Sequence, residues 1–318
     1  MIIVTGGAGF VGSNLVRALN KTGEKDILVV DNLTNSAKQK NLASLDIQDY
    51  VDKTDFLELR SLARFRHVRA VFHIGACSST TESDGRYMMR NNYEYSKTLA
   101  DRCLRDKVPL VYASSASVYG NGLNGFSEER ANETPLNVYA YSKFLFDQWV
   151  RRELQISRKS QVAGLRFFNV FGPQENHKGK MSSVAFHFFQ QIMKENEFSL
   201  FEGSDRFRRD FVSIDDIVKI LLHFYHHPQL SGIFNAGTGK AESFEAIANV
   251  VQECFPGARK KYIPFPAELE GKYQTFTQAD LRKLREVGKY EETFADLRSS
   301  VRSYLELLKK TGGYWERQ

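Results

Sequence analysis

The amino-terminal stretch Met1-Ile-Ile-Val-Thr-Gly6-Gly-Ala-Gly9-Phe-Val-Gly12 decides the fold of this 318-residue chain. Its first five residues are expected to form a buried strand, and an amphipathic helix is expected from residue 13 to about residue 21. Glycines at every third position permit a tight turn, close approach of the backbone to a pyrophosphate and close helix–strand packing. The stretch therefore predicts a dinucleotide-binding strand–turn–helix, whereas a glycine triplet without these neighbours would indicate only a turn.

A second apolar strand, Ile27-Leu-Val-Val30, ends in Asp31. An acid at this position ordinarily binds the adenosine ribose hydroxyls and disfavours a 2′-phosphate, which indicates NAD. However, Asn32 follows immediately, and Lys38 lies seven residues further, where its ammonium can pair with a phosphate. Lys53, after a possible third strand, can add charge there or be solvated. These residues leave NAD and NADP nearly equally open.

The alternation of apolar strands and helices continues into the middle of the chain. Residues 69–74 are expected to form the next parallel strand, and the small-residue loop Gly75-Ala-Cys-Ser-Ser79 after it leaves room for a cofactor. A long helix, from about residue 85 to 105, carries Asn91 and Asn92. Either asparagine can bridge backbone and cofactor, or both can be ordinary polar positions of a helix. The alternation predicts an α/β fold with a Rossmann-type, doubly wound, mostly parallel sheet.

Composition and charge restrict the function only loosely. Charged residues are 26% and hydrophobic residues 42% of the chain, an ordinary soluble balance. The formal net charge of +6 permits an anionic partner, but the basic residues form no block that would indicate nucleic acid. Three widely spaced cysteines, Cys77, Cys103 and Cys254, support neither a disulfide framework nor a zinc site, so we expect a reducing cytoplasm. Met1 leads directly into a strand and no apolar run reaches membrane-spanning length, so neither a signal peptide nor a membrane anchor is expected.

The pentapeptide Tyr139-Ala-Tyr-Ser-Lys143 carries the candidate acid–base group. Its tyrosine and lysine lie one helical turn apart, where a fixed ammonium favours the phenolate and lowers the phenol pKa from its usual value of about 10. Spacing alone proves little, because Tyr93 and Lys97 share it and are interpreted as structural. Context distinguishes the two pairs: a short apolar strand, Pro109–Ala113, followed at once by Ser114 and Ser115, precedes Tyr139, and Tyr93 has no such strand before it. This order of elements is typical of a dehydrogenase-type site.

Beyond the sheet the chain continues in short alternating elements. We predict a smaller α/β substrate-binding lobe, formed by about residues 170–209 and 236–318, at the carboxyl edge of the sheet. The NADP- or NAD-binding Rossmann domain is expected to take residues 1–169 and a return segment at about 210–235.

Several motifs together resemble those of the extended short-chain dehydrogenase/reductases that act on nucleotide sugars. They are the glycine turn, Ser114-Ser-Ala-x-x-Tyr-Gly120, Tyr139-x-x-x-Lys143 and Arg166-x-x-Asn169-x-x-Gly-Pro173. Further motifs resemble, more narrowly, the ADP-L-glycero-D-manno-heptose 6-epimerase family: Ala76-Cys-Ser-Ser-Thr-Thr81, His177-Lys-Gly179, Ser183-Val-Ala-Phe-His187, Phe201-Glu-Gly-Ser204, Arg209-Asp-Phe-Val212 and Phe276-Thr-Gln-Ala-Asp280. The similarity runs from residue 1 to beyond residue 280.

That resemblance implies a reaction, a cofactor and a set of site residues. The family converts ADP-D-glycero-β-D-manno-heptose to its L-glycero epimer for the lipopolysaccharide inner core, uses tightly held NADP, and forms homo-oligomers, often pentamers. The predicted cofactor contacts are Gly6, Gly9, Phe10, Val11, Gly12, Asp31, Asn32, Lys38, Lys53, Gly75, Ala76, Cys77, Ser78, Asn91, Lys143, Val170 and Lys178. The predicted substrate contacts are Ser115, Asn169, Lys180, His187, Phe201, Glu202, Gly203, Ser204, Arg209 and Tyr273.

The implied chemistry requires two acid–base groups. The hydroxyl at C6″ of the sugar is oxidised to a transient ketone, which turns its other face and is reduced with the opposite configuration. Reprotonation then comes from a different direction, and Lys178 matches the family residue for that role, with Tyr139 as the first group. Ser115 is expected to hydrogen-bond the reacting oxygen, and Lys143 to hold the nicotinamide ribose and tune Tyr139. The alternative for Lys178 is an ordinary solvated loop lysine.

Two residues depart from the family pattern. Lys180 stands where a small hydroxyl residue in contact with substrate is expected, and Phe167 replaces a common tyrosine. Lys180 can add a diphosphate contact or point away.

Three other functions compete with this interpretation. Nucleotide-sugar 4,6-dehydratases share the fold but carry an Asp–Glu pair beside the catalytic hydroxyl, where this chain has Ala116-Ser117. A 4-epimerase of UDP-sugars would be distinguished by the nucleotide that the enzyme accepts. A non-catalytic dinucleotide sensor typically lacks the Tyr/Lys pair, which is intact here.

Overall fold

The computed structural model describes residues 1–59, 61–62, 65, 67–156, 160–266 and 274–317. The strands are β1 (Ile2–Thr5), β2 (Ile27–Asp31), β3 (Asp49–Asp52), β4 (Ala70–His73), β5 (Leu110–Ser115), β6 (Val162–Phe167), β7 (Asn169–Phe171), β8 (Glu197–Phe201), β9 (Arg208–Ser213), β10 (Gly232–Ala236), β11 (Ala241–Ser243) and β12 (Arg259–Ile263). The helices are α1 (Phe10–Lys21), α2 (Gln39–Leu42), α3 (Lys53–Glu58), α4 (Gly85–Met88), α5 (Tyr95–Asp106), α6 (Val138–Ile156), α7 (Val184–Glu195), α8 (Ile214–His226), α9 (Phe244–Cys254), α10 (Arg282–Glu286) and α11 (Leu297–Thr311).

Seven strands form the central sheet, in the order β3-β2-β1-β4-β5-β6-β10. Each neighbouring pair is parallel. The chain runs outward from β1 to β3, crosses back to β4 and then runs outward on the other side, so the strand order reverses between β1 and β4. The predicted Rossmann-type sheet is confirmed, and ligands of such sheets bind at the carboxyl ends of the strands near this reversal.

Helices cover both faces of this sheet, which explains why its strands are continuous apolar runs. Every residue of β1, β2 and β4 is buried. One face packs against α1 and α8, through residues such as Leu15 and Ile217. The other face packs against α5 and α6, through residues such as Leu99 and Phe146.

A second group of elements, which we call the second lobe, has its own apolar core. A three-stranded sheet has the order β11-β9-β7, and β8 pairs with β12 in parallel. The helices α7, α9 and α11 pack around Phe188, Phe198, Val251 and Leu305. Because β7 follows β6 after one residue, the second lobe begins directly at the carboxyl edge of the central sheet.

The chain passes between the two groups more often than the sequence-based division assumed. The strand β9 pairs with β7 and β11, so the return to the central layer begins with α8 rather than near residue 210. Leu284 and Tyr290 lie in the core of the central layer. The Nε1 of Trp315 donates to Asn14 Oδ1 of α1 at 2.8 Å. Parts of the segment 236–318 therefore pack on the dinucleotide-binding layer.

Several element bounds differ from the expected ones in ways that matter for the site. The helix α1 begins at Phe10, so the last glycine of the turn lies inside its first turn. The strand β5 extends to Ser115 and includes both serines. Between α4 and α5 the helix widens into a π turn at Met89–Glu94, which carries Asn91 and Asn92. Within the described ranges, no helix is long and apolar enough to span a bilayer.

Candidate active site

The glycine turn between β1 and α1 packs backbone against backbone. Gly6 has φ +69°, and a Cβ atom on it would lie 2.6 Å from the Cα of Gly75, in the loop after β4. A Cβ on Gly12 would lie 2.1 Å from the carbonyl oxygen of Gly6, and one on Gly9 would lie 3.1 Å from the same oxygen. Side chains at positions 6 and 12 would collide with this backbone, so the glycines let the turn close tightly at the N-terminus of α1, where backbone N–H groups favour an anion. The turn thus fits the pyrophosphate of a dinucleotide.

The carboxylate of Asp31, at the end of β2, is held by three donors. Its Oδ2 accepts a hydrogen bond from the backbone N–H of Ala8 at 2.9 Å. Its Oδ1 accepts from the backbone N–H of Asn32 and from the Nζ of Lys38, both at 2.7 Å. Lys38 also donates to the Oδ1 of Asn32 at 3.0 Å. The structure therefore brings together Asp31, Asn32 and Lys38, the three residues from which the sequence argued for NAD or NADP, with the acid paired to the lysine.

The two asparagines of the π turn have different partners. Asn91 accepts a hydrogen bond from the Nζ of Lys53, whose pKa is lowered by burial. Asn92 is buried and binds the backbone of Cys77 twice, since its Oδ1 accepts from the N–H at 2.8 Å and its Nδ2 donates to the carbonyl at 2.9 Å. It also donates to the Oγ of Ser142 in α6 at 3.2 Å. Asn92 therefore ties the loop after β4 to the helix of the candidate acid–base group, and it was missing from the predicted contacts.

The loop of residues 75–78 lines the same edge of the sheet. Gly75 donates from its N–H to the Oγ1 of Thr5 at 3.3 Å, which fixes the start of the loop against β1. Ala76 and Cys77 are partly buried, and Ser78 is exposed. The loop is placed where the sequence predicted space for a cofactor.

The residues Ser115, Tyr139 and Lys143 meet where β5 ends and α6 begins. The side chains of Tyr139 and Ser115 are hydrogen-bonded. Lys143 is only 5% exposed, and its Nζ donates to the carbonyl oxygen of Ala113 at 2.8 Å. Burial lowers the pKa of Lys143 to about 8, and the nearby Asp147 carboxylate opposes this effect. The arrangement is that of a Ser–Tyr–Lys acid–base site.

The predicted effect of Lys143 on Tyr139 is not found. Burial raises the pKa of the Tyr139 phenol, and the hydrogen bond with Ser115 opposes this only in part. The ammonium of Lys143 is directed to the Ala113 carbonyl instead. Spacing on the helix placed the two groups on one face, but it did not place the charge against the phenol. Efficient base catalysis near neutral pH therefore needs further positive charge beside Tyr139.

Lys178 is not a solvated loop lysine. It lies in the turn Asn176–Met181, and its side chain is 19% exposed. Its ammonium lies 4.8 Å from the ring centroid of Phe10 and 3.8 Å from the Oε2 of Glu175. Burial lowers the pKa of Lys178, whereas Glu175 opposes this. Because Phe10 starts α1, this contact places Lys178 beside the glycine turn.

Glu175 is a residue of this region that the sequence did not reveal. Its side chain is fully buried and accepts from the N–H and the Oγ of Ser183, both at 2.6 Å. The phenol of Tyr304, in α11, donates to the same carboxylate at 2.9 Å. A single glutamate in an irregular turn has no spacing pattern, so no sequence signal identified it as the support of the turn that carries Lys178.

The predicted substrate contacts line the second lobe. Asn169 and Val170 lie in β7, with Asn169 exposed. His187, in the first turn of α7, is hydrogen-bonded through Nε2 to the carbonyl oxygen of Lys180 at 3.4 Å. The side chain of Lys180 is exposed. Lys180 belongs to the same turn as Lys178, and the hydrogen bond of His187 connects α7 to that turn.

A second set of predicted contacts follows β8. Phe201 is partly buried and Glu202 is exposed. Gly203 has φ +80°, a left-handed conformation that other residues rarely adopt. Ser204 is 3% exposed and donates to the Oε2 of Glu245 at 3.0 Å, so its hydroxyl is already engaged.

Arg209 lies on the neighbouring strand β9. It is 5% exposed, its guanidinium carbon is 5.7 Å from the ring centroid of Phe244, and its Nη1 donates to the carbonyl oxygen of Arg208 at 3.1 Å. Tyr273 lies outside the described residues.

The fold and these motifs define a Rossmann-type, nucleotide-dependent enzyme, in which Ser115, Tyr139 and Lys143 are the candidate acid–base group. The chain belongs to the NAD dependent epimerase/dehydratase family, whose profile matches residues 2–237. Its cofactor is accordingly a nicotinamide dinucleotide.

Individual proteins of known structure or function are similar to this chain over nearly its whole length. The chain is 55% identical to the ADP-L-glycero-D-manno-heptose-6-epimerase of Brachyspira hyodysenteriae over 317 residues, 99% of each protein. The crystal structure of the enzyme with the same name from Helicobacter pylori superposes with a TM-score of 0.85 at 31% identity, covering 97% of this chain and 96% of that one. The UDP-N-acetylglucosamine 4-epimerase from Methanobrevibacter ruminantium has the same fold, with a TM-score of 0.84 at 22% identity over 97% and 98% of the two chains. The resemblance inferred from the motifs is confirmed.

Proposed function

We propose that this protein epimerises ADP-D-glycero-β-D-manno-heptose to ADP-L-glycero-β-D-manno-heptose, by transient oxidation at C6″ and re-reduction with bound NADP. The observation that carries the proposal is the 55% identity to the heptose 6-epimerase of Brachyspira hyodysenteriae along 99% of both proteins. The product would supply inner-core heptose for lipopolysaccharide. We therefore propose that the enzyme is cytoplasmic.

The cofactor would lie along the carboxyl edge of β1, β2 and β4. Its nicotinamide supplies the hydride acceptor and donor. The glycine turn would hold the pyrophosphate, because only backbone fits there. Lys38 supports NADP over NAD, since its ammonium lies 2.7 Å from the Asp31 carboxylate and reduces the repulsion that this acid would exert on a 2′-phosphate. Asn32, Lys53 and Asn91 complete the proposed adenosine end.

The chain's own groups move the substrate proton. Ser115, at the end of β5, would hydrogen-bond the C6″ oxygen and hold it beside the Tyr139 phenol. Tyr139 would take the hydroxyl proton on oxidation and return it on reduction in one orientation of the sugar. Lys143 would hold the nicotinamide ribose from its fixed position on the Ala113 carbonyl. Lys178, partly buried between Phe10 and Glu175, would serve the C6″ oxygen in the opposite orientation.

The second lobe would hold ADP-heptose. Arg209 has the planar donor set that suits a diphosphate, and its burial in β9 limits the side-chain freedom lost on binding. Asn169, Lys180, His187, residues 201–204 and Tyr273 are the remaining proposed contacts. The division of the chain into an NADP-binding domain and a substrate-binding lobe, and the assembly into a homo-oligomer such as a pentamer, belong to the same proposal.

The test is the product formed from a defined nucleotide sugar. The purified protein is incubated with ADP-D-glycero-β-D-manno-heptose, the two epimers are separated by anion-exchange chromatography, and the dinucleotide that co-purifies is identified by mass spectrometry. We expect conversion to the L-glycero epimer and a mass corresponding to NADP. UDP-glucose and UDP-N-acetylglucosamine serve as comparison substrates. Faster epimerisation of either UDP-sugar, or no conversion of ADP-heptose, would contradict the proposal.

A further inference from the structure

Asp147 lies in α6 one helical turn after Lys143, and its side chain is fully buried. Three donors surround its carboxylate. The phenol of Tyr112 donates to Oδ1 at 2.9 Å, and the hydroxyl of Ser114 and the Nε of Arg166 donate to Oδ2 at 2.9 Å each. Burying an ionised carboxylate is costly unless it is paired and hydrogen-bonded, so this constellation holds the charge in place.

Two of these donors, both on β5, bracket Ala113. Residues two apart in a strand share one face, so a single carboxylate on α6 can bind both. The residue between them, Ala113, carries the carbonyl oxygen that accepts the Nζ of Lys143 at 2.8 Å. Ser115 is the last residue of the same strand. The carboxylate of Asp147 thus fixes the piece of backbone to which Lys143 is attached and from which Ser115 reaches the site.

The carboxylate also acts on the charge of Lys143. Burial lowers the pKa of Lys143 to about 8, and Asp147 makes the largest contribution in the opposite direction. The titratable and charged groups around Lys143 are Asp147 and Tyr139 of α6, Cys77 after β4, His73 of β4, and Tyr112 and Arg166 on the far side of Asp147. His73 is neutral at physiological pH, because burial and the Lys143 charge lower its pKa to about 3.

We propose that Asp147 is a positioning residue for the epimerisation: its carboxylate fixes the end of β5, with the Ala113 carbonyl and Ser115, against α6 and stabilises the Lys143 ammonium that is bound to this carbonyl. The inference rests on the proposed function for the reaction in which its effect is measured. Arg166 belongs to the same buried cluster as Asp147. It is fully buried, pairs with Glu133 as well as Asp147, and donates to the phenol of Tyr119 at 2.9 Å. This second set of contacts keeps Arg166 against Asp147.

The central variant is Asp147→Asn, which keeps the shape and removes the charge. Without its anion, the Lys143 ammonium is less stable and loses its proton at lower pH. The alkaline limb of the kcat profile should therefore move down by about one pH unit. With the limb moved from about pH 8 to about pH 7, kcat should fall about twofold at pH 7 and about tenfold above pH 9. The KM for ADP-heptose should stay nearly unchanged, because Lys143 is proposed to hold the nicotinamide ribose and not the sugar.

Matched variants separate the charge from the packing. Tyr112→Phe and Ser114→Ala each remove one hydrogen bond and keep the carboxylate, so kcat should fall several-fold while the alkaline limb stays in place. Asp101→Asn makes the same acid-to-amide change in an exposed pair with Arg105 on α5 and should alter neither quantity.

A readout independent of turnover is the titration of Lys143 in protein labelled with ¹³C-lysine, assigned by its loss in Lys143→Met. Its midpoint should fall in Asp147→Asn. If the wild type does not epimerise ADP-heptose but the Lys143 midpoint still falls in Asp147→Asn, the proposed function is contradicted and the inference about Asp147 is not. An active wild type whose Asp147→Asn variant keeps both the midpoint and the alkaline limb would overturn the inference.

If Asp147→Asn does not fold, the double variant Asp147→Asn/Arg166→Met removes both buried charges together, a change that buried ion pairs often tolerate. A smaller downward shift is expected in it, because the Arg166 cation on the far side of Asp147 is removed as well and its loss partly opposes the loss of the anion. An unchanged limb would again overturn the inference. If this double variant does not fold either, the inference is tested by Tyr112→Phe and Ser114→Ala. An unchanged kcat in both of them would overturn it.

Discussion

The ammonium of Lys38 lies 2.7 Å from one oxygen of the Asp31 carboxylate, where β2 ends at the carboxyl edge of the sheet. Asp31 alone would repel a 2′-phosphate, but a cation at this distance neutralises much of that repulsion. The same ammonium reaches the side chain of Asn32 at 3.0 Å. We therefore propose that the preference between the two nicotinamide dinucleotides depends on this lysine together with the acid, and not on the acid by itself.

Replacing this lysine should change the cofactor preference. We expect Lys38→Glu to weaken NADP binding by tenfold or more, because a charge-assisted contact worth about 1.5–3 kcal/mol becomes a repulsion, while NAD binding changes much less. Calorimetric titration of cofactor-depleted protein with each dinucleotide measures both. The control is Lys25→Glu, the same change in an exposed pair with Asp46 at the opposite end of β2. Equal weakening of NAD and NADP would show that Lys38 does not face the phosphate and that Asp31 selects NAD.

The alternation of strands and helices, and with it the Rossmann-type sheet, could be predicted because most strands of the central sheet are short apolar runs. Likewise, Ser115, Tyr139 and Lys143 were found because a strand end and a helical spacing of four are visible in the sequence. The direction in which the Lys143 ammonium points was not visible. It depends on the Ala113 carbonyl, 30 residues earlier, and on how β5 packs against α6.

The partners of Asn91 and Asn92 could not be predicted either. Both occupy one helix, and the π turn at Met89–Glu94 determines which of them faces the backbone of Cys77. The contact of Trp315 with Asn14 of α1 joins residues that are 301 positions apart, so no local sequence pattern predicts it. These features follow from tertiary packing, which overrides what neighbouring residues favour.

A prediction for substrate binding concerns Arg209. We expect Arg209→Met to raise KM for ADP-heptose by about tenfold or more, because a guanidinium contact with a diphosphate is charge-assisted. Retention of the dinucleotide should not change. The control is Arg208→Met: Arg208 is exposed and adjacent on β9, and neighbouring residues of a strand point to opposite faces. Loss of cofactor from the Arg209 variant would instead place this residue in the dinucleotide site.

Acid stability provides a prediction for the central sheet. The ring of His73, in β4, is hydrogen-bonded through Nδ1 to Thr5 at 2.7 Å and through Nε2 to Ser96 at 2.8 Å. Burial lowers the pKa of His73 to about 3. The unfolded chain binds this proton below about pH 6.5, whereas the folded protein does not until far lower, so stability should decrease by about 1.4 kcal/mol per pH unit as pH falls through that window. His177, whose pKa is lowered to about 4, acts in the same direction.

Denaturant unfolding between about pH 7 and pH 5 measures this slope. His73→Asn cannot titrate in this range. It should therefore reduce the slope by up to about 1.4 kcal/mol per pH unit, the contribution of one proton. His226→Gln, an exposed histidine at the end of α8, should leave it unchanged. An equal slope in His73→Asn and the wild type would mean that His73 binds its proton with the same pKa in the folded and the unfolded protein.

The last prediction tests whether two groups share the acid–base work. Lys178 lies against Phe10 and Glu175 rather than in solvent, and burial lowers its pKa, which favours a role in proton transfer. Tyr139→Phe and Lys178→Met should each reduce epimerisation by about 10²- to 10⁴-fold, or roughly 3–5 kcal/mol, since one turnover needs both groups. Each variant should nevertheless retain hydride transfer in the orientation that the remaining group serves.

An analogue with an aldehyde at C6″ separates the two functions, because it can be oxidised and reduced without changing its orientation. Its dismutation should survive in each single variant far better than epimerisation does. The controls are Tyr93→Phe and Lys97→Met, a pair with the same spacing in the sequence. Tyr93 lies in the π turn before α5 and Lys97 lies in α5, with its ammonium 5.7 Å from the centroid of the Tyr93 ring. Neither control should affect turnover. Near-normal epimerisation by Lys178→Met, alongside complete inactivity of Tyr139→Phe, would contradict the two-group mechanism. Tyr139 would then serve both faces of the ketone, and Lys178 would contribute only to the packing of its turn against α1.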